Sequence, residues 1–161
     1  MTSGEGTQLF EQMDKFRIKP WYIVGFTEGE GCFTITLSKH KTKKTGYDPR
    51  LCFEIELRGD ERPILEAIRE YFGVGNIFDL KYERYGWKPH VKYVVARHHD
   101  VLYRIIPFFK KYKLLGKKGK DFDLFCQAAE LFKKKEHLTI DGVNKMFEIR
   151  KYMNDNRPFG Q

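Results

Sequence analysis

The stretch "WYIVGFTEGEGCFTITLS", Trp21 to Ser38, decides the fold, because it begins as a helix and ends as a strand. Pro20 suits the first turn of a helix, where its missing N–H is harmless. A helix is expected from Pro20 to Glu30, released by Gly31. Beyond it, Phe33, Ile35 and Leu37 alternate with Thr34, Thr36 and Ser38, the pattern of a half-buried strand with one polar face. The junction is costly. An acid in the last helical turn faces the negative end of the macrodipole. A helical glycine costs about 1 kcal/mol relative to alanine. Glu28, Gly29, Glu30 and Gly31 place both costs together.

The same period continues outward. "KTKKTGYDP" (41–49) reads as a hairpin loop. "RLCFEIELR" then alternates, with Leu51, Phe53, Ile55 and Leu57 as the buried set and Arg50, Cys52, Glu54, Glu56 and Arg58 as the open set. "DERPILEAIREYFG" is amphipathic at helical spacing and stopped by Gly73. A second pair of strands is expected near 75–82 and 90–97, joined by "ERYGWKP". "DVLYRIIPFF" follows as a helix ended by Pro107, and a lysine-rich link leads to the helix in "KDFDLFCQAAELFKKK". A closing helix has Thr139 as its N-cap. Hairpins argue for an α+β fold with one antiparallel sheet, helices on one face and the other face open.

Composition narrows the class. The 161 residues suit one domain, expected over 17–154, with a flexible arm at 1–16 and a frayed tail at 155–161. A hydrophobic share of 41% can build a core. The formal charge of +8 and pI near 9.3 favour an anionic partner such as nucleic acid. Cys32, Cys52 and Cys126 are scattered and odd in number, which suggests reduced thiols rather than a disulfide framework or zinc knuckle. No apolar run spans a bilayer and no secretory leader is evident, so an intracellular location is expected, either cytoplasmic or within an organelle. "RHHD" (97–100) reads as a strand-end turn rather than a metal site, since adjacent strand histidines diverge.

"IVGFTEGEG", Ile23 to Gly31, resembles the motif that names the LAGLIDADG homing endonucleases. It agrees at the first glycine, the apolar residue after it, both acidic positions and the final glycine. "YFGVGNI" is similar to the family's turn into the third strand, "FKKYKLLGKKGKDF" to its L-x-x-K segment, and "KEHLTIDGVNKMFEIRKYMN" to its closing helix. The resemblance covers about residues 20–154. It implies an αββαββα-type domain with a saddle-shaped antiparallel sheet.

The resemblance also implies a function. Two copies of the motif helix would pack on a two-fold axis, with Trp21, Gly25, Glu28 and Gly29 at the interface. Gly25 and Gly29 are four apart and let two backbones approach. Two Glu30 carboxylates would then meet and, with the Gly29 carbonyl, hold Mg²⁺ or Mn²⁺. Hydrolysis of both strands of a long pseudo-palindromic DNA site by a homodimer follows. Lys118, three residues after Leu115, would be the catalytic lysine, with Lys117 as the alternative register. Lys117 and Lys120 would also touch DNA.

The open sheet face would read bases through Thr34, Thr36, Ser38, His40, Arg50, Glu54, Glu56, Arg58, Tyr82, Arg84, His90 and Lys92. Glu54 and Glu56 can accept from cytosine or pair with Arg50, Arg58 or Lys92. Glu30 replaces the family's usual aspartate. Leu57 falls where some members carry glutamine, with Arg58 or Glu61 as possible substitutes. An RNA-binding intron maturase, with its intron RNA as partner, and a non-catalytic DNA-binding regulator are the alternatives on the same fold.

Overall fold

The computed structural model describes residues 18–82 and 86–154. The expected arm at 1–16, the tail at 155–161 and the candidate reader Arg84 lie outside the described residues.

Helix α1, Pro20–Glu30, starts on its proline and buries Ile23, Val24 and Thr27. It passes directly into strand β1, Gly31–Lys39. The abrupt junction needs Gly31. A Cβ there would lie 2.6 Å from Thr27 Cγ2 and 2.9 Å from the Thr27 carbonyl oxygen. The constraint is steric, because Gly31 itself has an ordinary extended backbone.

Strand β2, Tyr47–Arg58, pairs antiparallel with β1, with Phe33 opposite Phe53 and Thr36 opposite Arg50. It begins earlier than the alternation suggested and includes Pro49. That residue lies where β2 has β1 as its single neighbour, a position where sheets tolerate proline. Helix α2, Arg62–Phe72, ends as expected at Gly73, whose left-handed φ of 69° suits glycine. Strands β3, Asn76–Leu80, and β4, His90–Val95, complete a four-stranded antiparallel sheet of order β1-β2-β4-β3.

The next helical segment corrects an expectation. Pro107 does not end it. A short turn α3, His98–Asp100, leads through a π-helical turn, Val101–Ile105, into α4, Ile106–Lys111. Proline lacks the N–H for the preceding turn and its ring crowds that turn's carbonyl. The wider π-turn just ahead of Pro107 takes up both defects. Helices α5, Lys117–Lys133, and α6, Ile140–Arg150, close the fold and pack against β1. Thr139 caps α6 as expected, its Oγ1 accepting from Gly142 N at 3.0 Å.

The core lies between the helices and one face of the sheet. Phe33 is its centre, with ring contacts to Phe53, Phe109, Phe122 and Phe125 at 5.2–5.3 Å. The alternation read from the sequence is the burial pattern found. Odd positions of β1 and β2 point into this core and even positions to the open face. Among the described residues, no helix is long and apolar enough to cross a membrane.

His98 of "RHHD" meets the edge of an aromatic pair. Phe132 sits 4.3 Å from the His98 ring and 4.2 Å from the His137 ring, between centroids. His137 Nδ1 is buried without a hydrogen-bond partner among the described residues. Burial lowers the pKa of both histidines, and their mutual repulsion adds to the fall at His98. Both therefore bind protons less readily folded than unfolded. Their contribution to stability is complete above about pH 6.5 and declines as pH drops below that value. Urea unfolding at pH 7.5 and 5.5 should show a lower midpoint at pH 5.5. His137→Phe should flatten that difference, and an unaltered difference in the variant would remove the assignment.

Candidate active site

The site begins where α1 ends. Glu30 is exposed at the helix C-terminus and makes no hydrogen bond or ion pair among the described residues. The last carbonyls of a helix lack intrahelical partners. An acid placed there without a cation is electrostatically unfavourable, so the position is costly for folding alone. A Cβ at Gly25 or Gly29 would meet nothing within 4 Å. Trp21 is 63% exposed one turn before Gly25. The outer face of α1 is thus apolar, smooth and open, whereas its inner face is buried. One chain supplies one carboxylate and a neighbouring carbonyl, and among the described residues no three His, Cys, Asp or Glu side chains gather. That donor set is half of a hard-cation site, and it fits a divalent ion shared with a second copy.

Glu28 has a use within the chain. Its Oε1 accepts from Leu115 N at 2.5 Å and Gly116 N at 2.9 Å, across 87 and 88 residues. Gly116 is the N-cap of α5, and a Cβ there would lie 2.7 Å from Glu28 Oε2. The motif's first acid therefore anchors the start of α5, and with it Lys118.

Lys118 lies in the first turn of α5, not in a preceding link, and it is half-buried. Burial raises the Cys32 thiol pKa, and the Lys118 charge opposes that rise, so this ammonium sits near the start of β1. Lys117 and Lys120 are exposed in the same turn, which contains no acid. Three cations at the positive end of a helix dipole repel it, a cost that a phosphate would relieve. Behind Lys118, Asp121 is 2% exposed and accepts from Asn154 N at 3.1 Å. Asn154 Nδ2 in turn donates to the Phe33 carbonyl at 2.9 Å. The chain's last described residue thus ties α5 to β1.

Glu28→Ala removes the acceptor for two N–H groups at the start of α5. The loss resembles loss of an N-cap, about 1 kcal/mol, or a melting temperature lower by roughly 2–4 °C. Calorimetry checks this, and an unchanged melting temperature would count against the anchoring role.

The open face carries Cys32, Thr34, Thr36 and Ser38 from β1 and Arg50, Cys52, Glu54, Glu56 and Arg58 from β2. Registered pairs place Glu56 opposite Lys92 and Arg58 opposite His90. Glu56 Oε1 accepts from Tyr82 OH at 3.0 Å and lies 3.0 Å from His90 Nδ1, and its Oε2 is 3.2 Å from Lys92 Nζ. These contacts hold the Glu56 carboxyl below its usual pKa against the opposing effect of burial. Lys92 also reaches Glu54 at 3.5 Å. Of the three cations considered for the glutamates, Lys92 is the partner. Arg50 pairs with Asp48 and Arg58 with Asp60. His40 Nδ1 lies 3.1 Å from Thr42 Oγ1, and Thr34 Oγ1 donates weakly to the Cys52 carbonyl at 3.5 Å. The thiols are buried enough to stay protonated, Cys52 pushed up to about 12.

Leu57 faces the core opposite Val91 and is 5% exposed, so it presents nothing to the open face. Glu61 is exposed at the end of a 3-10 turn, and Arg58 is engaged by Asp60. Sequence reasoning passed over Phe78. It lies opposite Lys92 on the open face and is 50% exposed. The alternation Asn76, Phe78, Leu80 was too short to assign a face without its register.

Comparison with known proteins identifies the family. A profile described as LAGLIDADG endonuclease matches residues 23–129. The chain is 32% identical to probable intron-encoded endonuclease 3 of Neurospora crassa, over 86% of this chain and 25% of that protein. It is 39% identical to a 50.9 kDa protein of Podospora anserina encoded in ND4 intron 1, over 76% of this chain and 26% of that protein. It therefore spans about a quarter of the length of these curated relatives.

Among solved structures, the homing endonuclease I-TnaI superposes with a TM-score of 0.78 at 32% identity, over 86% of this chain and 90% of I-TnaI. The LAGLIDADG homing endonuclease I-SmaMI bound to cleaved DNA gives 0.82 at 30% identity, over 88% of this chain and 45% of I-SmaMI. Helix-to-strand motif, antiparallel sheet and sequence similarity converge, and the chain belongs to the LAGLIDADG endonuclease family.

Proposed function

We propose that this chain is a site-specific homing endonuclease that cuts both strands of a long pseudo-palindromic DNA site as a metal-dependent homodimer. The observation that carries the reading is Glu30. It is an exposed, unpartnered carboxylate at the end of a helix whose outer face is open at Trp21, Gly25 and Gly29. The lengths of the solved relatives support a pair of units. The chain covers nearly all of I-TnaI but under half of I-SmaMI, which is long enough for two such units. The relatives' names support an origin within an intron.

Each part then has a task. The open face of the sheet enters the major groove and fixes register. Lys117 and Lys120 hold phosphates. Glu30 and the Gly29 carbonyl of each copy would hold Mg²⁺ or Mn²⁺. Such a cation would supply a more acidic water and stabilisation of the leaving oxygen. Lys118, kept in place by the Glu28 anchor, stabilises charge on the phosphate.

The test uses duplex DNA that joins the sequences flanking the gene's insertion point. A double-strand cut with Mg²⁺ that EDTA abolishes supports the proposal. Tight binding without a cut would point to a regulator, and selective binding of the intron RNA to a maturase. Gly25→Leu tests the dimer separately. A Cβ at this position meets nothing within 4 Å among the described residues and leucine is the better helix former, so the variant should fold. It should nevertheless sediment as a monomer and lose double-strand cutting. A Gly25→Leu protein that still sediments as a dimer would remove α1 from the interface.

A further inference from the structure

The open face of β2 presents two arginines, Arg50 and Arg58, eight residues apart. Each is held from the side by an aspartate two positions away. Arg50 Nε donates to Asp48 Oδ2 at 3.0 Å, and its Nη2 lies 3.0 Å from the same oxygen. Arg58 Nε donates to Asp60 Oδ1 at 2.8 Å, and its Nη2 donates to Asp60 Oδ2. The other Asp48 oxygen meets Lys43 Nζ at 3.6 Å. A guanidinium has five N–H donors in a rigid plane. Pairing through Nε and one side of Nη2 leaves the end-on edge, Nη1 with the second Nη2 hydrogen, directed away from the aspartate. Both side chains are more than half exposed, at 63% and 51%.

That free edge has the geometry that grips O6 and N7 of guanine in the major groove. An arginine already held in one plane loses less freedom on binding than an unsupported one. The glutamates between them offer the opposite. Glu56 is occupied by Tyr82, His90 and Lys92, and Glu54 shares Lys92. Their acceptors are spent within the protein, so they are poorly placed to take a cytosine amino group.

Resting on the reading of the chain as a DNA endonuclease, we propose that Arg50 and Arg58 each read one guanine, with Asp48 and Asp60 as positioning residues. Glu54 and Glu56 orient Lys92, His90 and Tyr82 and read no base. A strand rises about 3.3 Å per residue, so the two arginines stand roughly 26 Å apart. At about 3.4 Å per base pair this spans about eight base pairs. Each half-site therefore holds two guanines about eight base pairs apart.

The experiment recovers bound duplexes from a randomised pool, with EDTA present to prevent cutting. Wild type should enrich two guanines per half-site at that spacing. Arg50→Gln should lose preference at one of them and Arg58→Gln at the other, each by roughly 5- to 150-fold. Asp48→Ala and Asp60→Ala should weaken discrimination at the same positions, without weakening affinity for a non-specific duplex. A purely structural aspartate would lower both affinities together. Substituting 7-deazaguanine at either position removes the N7 acceptor and should reproduce part of the arginine loss. A well-defined selected site whose guanines are indifferent to either arginine would overturn the inference while leaving DNA reading intact. Failure of the wild-type chain to enrich any sequence would overturn both.

Discussion

Glu30→Gln should abolish metal-dependent cleavage and leave DNA affinity intact or slightly higher. The substitution keeps the size of the side chain and removes its charge. Glu30 makes no hydrogen bond or ion pair among the described residues, so its loss removes no contact that the fold uses and relieves a repulsion with the helix end. On the proposed reading, two carboxylate charges lost from a shared site would weaken a divalent ion's hold, and such an ion would supply several kcal/mol of transition-state stabilisation. At about 1.4 kcal/mol per factor of ten, the rate should fall by at least about a thousandfold. Removing acids beside a polyanion does not weaken binding. Glu30→Asp restores the residue usual in the family and should keep measurable cutting. Single-turnover cleavage and gel-shift assays on one duplex check all three statements. A glutamine variant that cuts at more than about a tenth of the wild-type rate would mean that another group holds the metal.

Phe33→Ala should be the most damaging single change to the fold. Phe33 is fully buried and contacts four other phenylalanine rings from β2, α4 and α5. Truncating a buried phenylalanine costs about 3–5 kcal/mol. That is a large part of the 5–15 kcal/mol typical of a whole domain. For a chain of this size it corresponds to a melting temperature lower by roughly 6–20 °C. The loss would reach the site as well, since Phe33 stands two residues beyond Gly31 and its carbonyl anchors Asn154. Phe33→Leu should recover more than half of the loss. Thermal and urea unfolding measure both, and a Phe33→Ala cost under about 1 kcal/mol would show that the cluster repacks around the gap.

The alternation that exposes this core was readable before any coordinates. Local chemistry settles which side of β1 and β2 is buried, because side chains reverse at every residue and the apolar set is unbroken from Phe33 to Leu37 and from Leu51 to Leu57. The same holds for the start of α1 at Pro20, the end of α2 at Gly73 and the cap at Thr139, each decided within a few residues of chain. The motif glycines were legible as a pattern, but their division of labour was not. Gly31 serves a close approach inside the chain, while Gly25 and Gly29 leave a face open outside it.

What only the tertiary structure decided involves partners distant in sequence. Glu28 finds its donors 87 and 88 residues away, Asp121 meets Asn154, and Lys92 rather than either arginine engages the central glutamates. The π-turn before Pro107 and the edge-to-face contact of His98 with Phe132 belong here too. Periodicity reports which face a residue occupies, since that depends on its own backbone. It cannot report which of several like charges lies within 4 Å, because that depends on register between strands and on how helices close over the sheet.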